Sequence, residues 1–165
     1  MAGLLAAVGV VAIAIAQART PRARRTTAAT VELRETSLGK ILANSAGLTL
    51  FEFTKDKKKH DSCASISGCP EVWPALEVSG MPTAGAGLKQ SLLGTIKLTG
   101  GGEQVTYAGR ALYLYSAQHN PGETSYVGVK EFGGTWYALN AKGRPVKPSR
   151  HSGGGSGGSG GGGGW

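Results

Sequence analysis

Short runs of strand-forming residues, punctuated by glycine, asparagine and proline, occupy the middle of the chain. Leu48-Thr49-Leu50-Phe51-Glu52-Phe53 is one such run, and Ser45-Ala46-Gly47 separates it from Lys40-Ile41-Leu42-Ala43. Thr95-Ile96-Lys97-Leu98 leads through Gly100-Gly101-Gly102 into Gln104-Val105-Thr106-Tyr107. Ala108-Gly109 then precedes Ala111-Leu112-Tyr113-Leu114-Tyr115, and Gly133-Gly134 precedes Thr135-Trp136-Tyr137-Ala138-Leu139. Glycine supplies the positive φ of tight hairpin turns without a Cβ clash. The one helical candidate, Leu88 to Leu93, is too short to rank above a turn. The pattern predicts an all-β, antiparallel fold.

The hydrophobic pattern also repeats. Ala46-Gly47-Leu48-Thr49-Leu50-Phe51-Glu52-Phe53 lies over Ala108-Gly109-Arg110-Ala111-Leu112-Tyr113-Leu114-Tyr115 at an offset of 62. Trp73-Pro74-Ala75-Leu76 lies over Trp136-Tyr137-Ala138-Leu139 at an offset of 63. Two stretches at nearly one offset indicate duplication. Each half reads as a hairpin, a polar loop and a Trp-led strand, and two such halves joined at their edges make one small domain over residues 31–141.

The flanks have a different character. Leu4 to Ala16 is an apolar run of 13 residues followed by Ala16-Gln17-Ala18, a small-x-small cleavage pattern. That length suits a signal peptide over residues 1–18, where a membrane span needs roughly 20 apolar residues. Retention as an uncleaved anchor is the alternative. Residues 19–30 form a basic arm, and residues 142–165 a basic stretch running into a Gly/Ser-rich tail. Both have the composition of disordered segments.

Charge follows the same division. The 165 residues carry Lys+Arg 18 and Asp+Glu 10, a formal charge of +8. Residues 31–141 hold ten acids and ten bases, so the surplus lies in the flanks. A neutral domain gives no footing for nucleic-acid binding. Extracytoplasmic location, in the medium or the cell envelope, and a monomeric state are expected.

Cys63 and Cys69 are the only cysteines. In an exported chain, an even count at close spacing reads as a disulfide closing a polar loop. The alternative is a metal or redox site built from His60, Cys63 and Cys69, with His119 as a further candidate. Its spacing fits neither Cys-x-x-Cys nor the usual zinc patterns. No Gly-x-Ser-x-Gly elbow appears, and Gly100-Gly101-Gly102 lacks a P-loop Lys. No cofactor and no catalysis are expected. Phe51/Phe53 and Tyr113/Tyr115 each share one strand face and read first as core, secondly as a stacking surface. Asp56 reads as an Asx-type strand end, and the run Lys55 to Lys59 as a solvated loop face.

These segments resemble a bacterial family of secreted repeats of unknown function, also described as predicted lipoproteins with a Tyr-x-aromatic-x-x-Asp motif. The motif stands here as Phe51-x-Phe53-x-x-Asp56 and again as Tyr113-x-Tyr115-x-x-Gln118. Leu38-Gly39-Lys40-Ile41-Leu42, the Cys pair before Trp73-Pro74, Gln104-Val105-Thr106-Tyr107 and Gly134-Thr135-Trp136-Tyr137 keep the family's order. Phe51 and Gln118 depart from its Tyr and Asp, and the lipobox Cys is absent. The resemblance implies export and duplication, and it names no reaction or ligand. The reading is an exported, non-catalytic module that binds a small ligand or protein partner. Wall-polymer adhesion through the basic flanks is a further alternative.

Overall fold

A computed structural model describes residues 30–148. The expected signal peptide, most of the basic arm (residues 19–29) and the tail from 149 onward lie outside the described residues. The strands in chain order are β1 (Thr30–Thr36), β2 (Gly39–Asn44), β3 (Phe51–Phe53), β4 (Glu77–Val78), β5 (Thr83–Ala84) and β6 (Leu93–Lys97). They continue with β7 (Glu103–Tyr107), β8 (Arg110–Ala111), β9 (Lys130–Glu131), β10 (Gly134–Leu139) and β11 (Pro145–Val146). One short helix, α1 (Cys69–Val72), follows a 3-10 turn at Cys63–Ser65. The segment at 88–93 forms only a 3-10 turn at Gln90–Leu92. The all-β expectation holds.

The two halves repeat in hydrogen bonds as well as in sequence. Hairpin β1–β2 has its counterpart in hairpin β6–β7, both antiparallel. The Leu50 amide donates to the Leu42 carbonyl at 3.0 Å, and the Leu112 amide to the Val105 carbonyl at 3.0 Å. Between β7 and β8, Ala108 and Gly109 have φ of 51° and 77°. Two consecutive positive φ values make the tight turn whose twist suits a two-residue hairpin.

At the centre, each half meets its own counterpart. Phe51 and Tyr113, 62 residues apart, exchange both backbone hydrogen bonds at 2.9 Å. An antiparallel pair of equivalent residues places a pseudo-two-fold axis between them. The same axis explains the outer partners. β3 pairs with β10 of the second half, Phe51 facing Ala138. Tyr113 reciprocally faces Ala75 of the first half. The halves therefore exchange their Trp-led segments. They are interlocked, which goes beyond the edge-to-edge joining expected from the repeat pattern.

Exchange buries the central strands on both faces. Ile41, Phe51, Tyr113 and Ala138 point into one core cluster, while their neighbours Leu42, Leu50, Leu112 and Leu139 point into the other. Such strands read as continuous apolar runs because neither face meets water. The expected boundary at 141 falls short. Beyond it, β11 pairs with β10 through Ala138–Val146 and Leu139–Pro145. Proline is tolerated in this two-residue strand at the margin of its sheet. No helix among the described residues is long and apolar enough to cross a membrane.

Candidate functional site

The repeat aromatics form the core. Trp73 and Trp136, equivalent residues of the two halves, stack at 4.1 Å with planes 2° apart. Phe53 stacks on the far face of Trp136 at 4.1 Å, and its counterpart Tyr115 lies against Trp73 at 4.5 Å. Phe51 meets Trp73 edge-on at 5.1 Å, and Tyr113 meets Trp136 edge-on at 5.1 Å. Phe51, Phe53, Tyr113, Trp73 and Trp136 are at most 1% exposed, which rules them out as an open stacking surface. Tyr115 is half-buried and touches Tyr126.

The motif's polar members are joined across the axis. Tyr113 Oη, from the second half, lies 2.7 Å from Asp56 Oδ2 and 2.8 Å from Asp61 Oδ1, both of the first. Asp56 Oδ1 accepts the Ser62 amide at 2.7 Å. This bond reaches six residues ahead, so Asp56 anchors a whole loop where an Asx-type strand end was expected. In the other half the counterparts are Phe51 and Gln118. Phe51 has no hydroxyl, and the buried side-chain amide of Gln118 has no hydrogen-bond partner. The two departures from the family motif are thus the two ends of one lost contact.

A phenol carries one proton, yet two carboxylate oxygens approach Tyr113 Oη. The hydroxyl proton of Tyr113 is therefore shared between Asp56 and Asp61, and each carboxylate accepts from Tyr113 Oη in turn. Burial pushes the Asp56 carboxyl above its ordinary value, with the Asp61 charge adding to the rise against the hydrogen bonds. A group whose folded pKa is raised favours folding fully below its unfolded pKa. The contribution is lost as pH rises through the folded value. Asp56→Asn keeps the acceptor for Ser62 and supplies an N–H for Tyr113. The expected outcome is a flatter fall in stability as pH rises above 3.8, measured by urea unfolding at stepped pH. An unchanged pH profile would refute a raised Asp56 carboxyl as the source of that dependence.

The cysteines close a disulfide, Cα–Cα 5.4 Å, around the turn before α1. Both are buried, and closing so short a loop contributes roughly 2 kcal/mol. The bond removes both sulfurs from the alternative metal set. His60 and His119 are exposed, and no group of three or more His, Cys, Asp or Glu able to hold a metal occurs among the described residues.

The polar cleft lies beside β3 and β8. It encloses about 340 Å³, lined by Glu52, Phe53, Asp56, Lys57, Lys58 and Arg110, with the Ala108-Gly109 turn at one side. Glu52 is 2% exposed and ion-paired with Arg110. Burial raises the Glu52 carboxyl above its ordinary value although Arg110 opposes the rise. The Lys59 amide donates to the Gly109 carbonyl at 2.8 Å and fixes the lysine loop over the cleft. The corresponding bond in the sister half runs from Gly122 to Gly47 at 2.9 Å.

Only one of the two symmetry-related positions is charged. At an offset of 62, Glu52 corresponds to Leu114 and Arg110 to Leu48. The same backbone positions that carry two leucines in one half carry a part-buried ion pair in the other. Residue type and motif do not single out Glu52 and Arg110, and the run Lys55 to Lys59 reads only as a solvated loop face. The signal that finds Glu52 and Arg110 is a polarity difference between aligned repeats.

A family model described as "secreted repeat of unknown function" matches residues 32–77 and residues 94–140. No curated protein and no solved structure matches the chain.

Proposed function

We propose, because the chain belongs to the family of secreted repeats of unknown function, that it is an exported, non-catalytic module binding a small ligand in the cleft beside β3 and β8. The observation that carries this reading is the Glu52–Arg110 pair, set where the sister half places Leu114 and Leu48. Arg110 keeps 42% of its side chain accessible, and an ion pair open to water on one side adds little to stability. Stability therefore gives little reason for the charges, and a ligand gives one. The cleft volume lies at the small end of the range for ligand sites.

The sister half also supplies the test. Glu52→Leu with Arg110→Leu copies residues the fold already carries at equivalent positions. A thermal-shift screen of small metabolites against the exported protein should find compounds that raise its midpoint. The double variant is expected to keep or exceed the wild-type midpoint without ligand and to lose every such shift. Shifts of equal size in the double variant would contradict the cleft as the site.

A further inference from the structure

We infer that the cleft takes a small organic anion, its carboxylate or phosphate group held by Arg110, Lys57 and Lys58 and its short apolar body against Ala108; this rests on the binding reading above.

The basis is the balance of donors and acceptors left open. The acids of the cleft are already engaged. Asp56 Oδ1 takes the Ser62 amide, Asp56 Oδ2 faces the Tyr113 hydroxyl, and Glu52 Oε2 takes Arg110. The bases are not. Lys57 and Lys58 are exposed and have no acidic partner among the described residues, whose ion pairs are Lys40–Glu35 and Arg110–Glu52. Arg110 contacts Glu52 through one guanidinium nitrogen, while 42% of its side chain stays accessible. A guanidinium has five N–H donors in a planar fork, suited to the paired oxygens of a carboxylate or phosphate. Glu52 thus positions Arg110 by holding one edge of the fork.

The cations are also placed. Lys58 lies along Gly109, where an added Cβ would meet its Cγ at 2.9 Å, and the Lys59 amide ties the same loop to the Gly109 carbonyl. This hydrogen bond orders the loop before a ligand arrives, which lowers the entropy lost on binding. Of the apolar lining residues, Ala108 is half-buried and open to the cleft, while Ala111 and Phe53 are buried. A bare inorganic ion would leave Ala108 uncovered.

The test uses the exported protein and amide NMR titration with succinate, glycerol 3-phosphate, erythritol and putrescine. Saturable shifts at Lys57, Lys58, Gly109 and Arg110 are expected with succinate or glycerol 3-phosphate. Whichever of the two saturates at lower concentration identifies the head group. Lys57→Gln with Lys58→Gln should weaken that binding about tenfold, with an unchanged thermal midpoint, because both side chains are exposed. Saturation by erythritol or putrescine in place of the anions would overturn the anion assignment and leave the binding reading standing. Silence of these amides toward all four probes and toward the metabolite library would overturn both. Unsaturating shifts spread equally over Lys40 and Lys97 would also overturn the assignment, since they report screening of surface charge alone.

Discussion

Residues 30–87, produced without the second half, will not fold as a monomer. β3 finds its partner in β10, and residues 73–76 find theirs beside Tyr113, so each half lacks what the other supplies. The tryptophan stack also needs one ring from each half. A fragment of this size is marginal even with its core complete, and here the core is divided. Amide NMR of the fragment should show collapsed dispersion. Adding residues 88–148 should restore the spectrum of the intact protein as a one-to-one complex. A dispersed, monomeric spectrum from either fragment alone would contradict reciprocal exchange.

Trp136→Ala should cost about 3–5 kcal/mol in urea unfolding, as expected for deleting a buried large aromatic. Its ring is covered on one face by Phe53 and on the other by Trp73, with Tyr113 at its edge. Against a total stability of about 5–15 kcal/mol, this leaves the chain close to unfolding. Trp73→Ala should lose a similar amount and additionally release Glu131, whose Oε2 accepts the Trp73 indole N–H at 2.8 Å. Because the two rings touch, the double variant should lose less than the sum of the singles. A Trp136→Ala loss below about 1 kcal/mol would show that the stack does not hold the halves together.

Much of this fold is written in the chain. The 62-residue offset, the glycine-led hairpins and the paired cysteines read correctly because each is set by local chemistry. Reciprocal exchange does not read this way. The spacing between Phe51 and Tyr113 is the same whether each strand pairs within its half or across the axis, and partner choice is settled only by packing. β11 is hidden for a related reason: Pro145 and the basic residues around it resemble a linker, and only its pairing to Leu139 makes it a strand. α1 is a single turn joined by disulfide to the preceding 3-10 turn, too short for any periodicity to reveal.

The candidate site was less legible. The aromatic motif draws attention to residues that prove to be core, while Lys57 and Lys58 look like an ordinary solvated run. Their place over a cleft depends on the Tyr113–Asp56 contact and the Lys59–Gly109 bond, both made across the axis. Comparing the repeats position by position would have exposed Glu52 against Leu114 and Arg110 against Leu48. Duplication gives each site its own control, since a residue that the fold alone required would be expected in both halves.

The central claim is that the cleft holding the Glu52–Arg110 pair carries the binding function. Native mass spectrometry of the exported protein, taken directly from its own medium or envelope fraction, tests it. A small compound should be bound at one copy per chain in the wild type and be missing from the folded Glu52→Leu, Arg110→Leu double variant. The same compound retained by that variant at wild-type occupancy would contradict it.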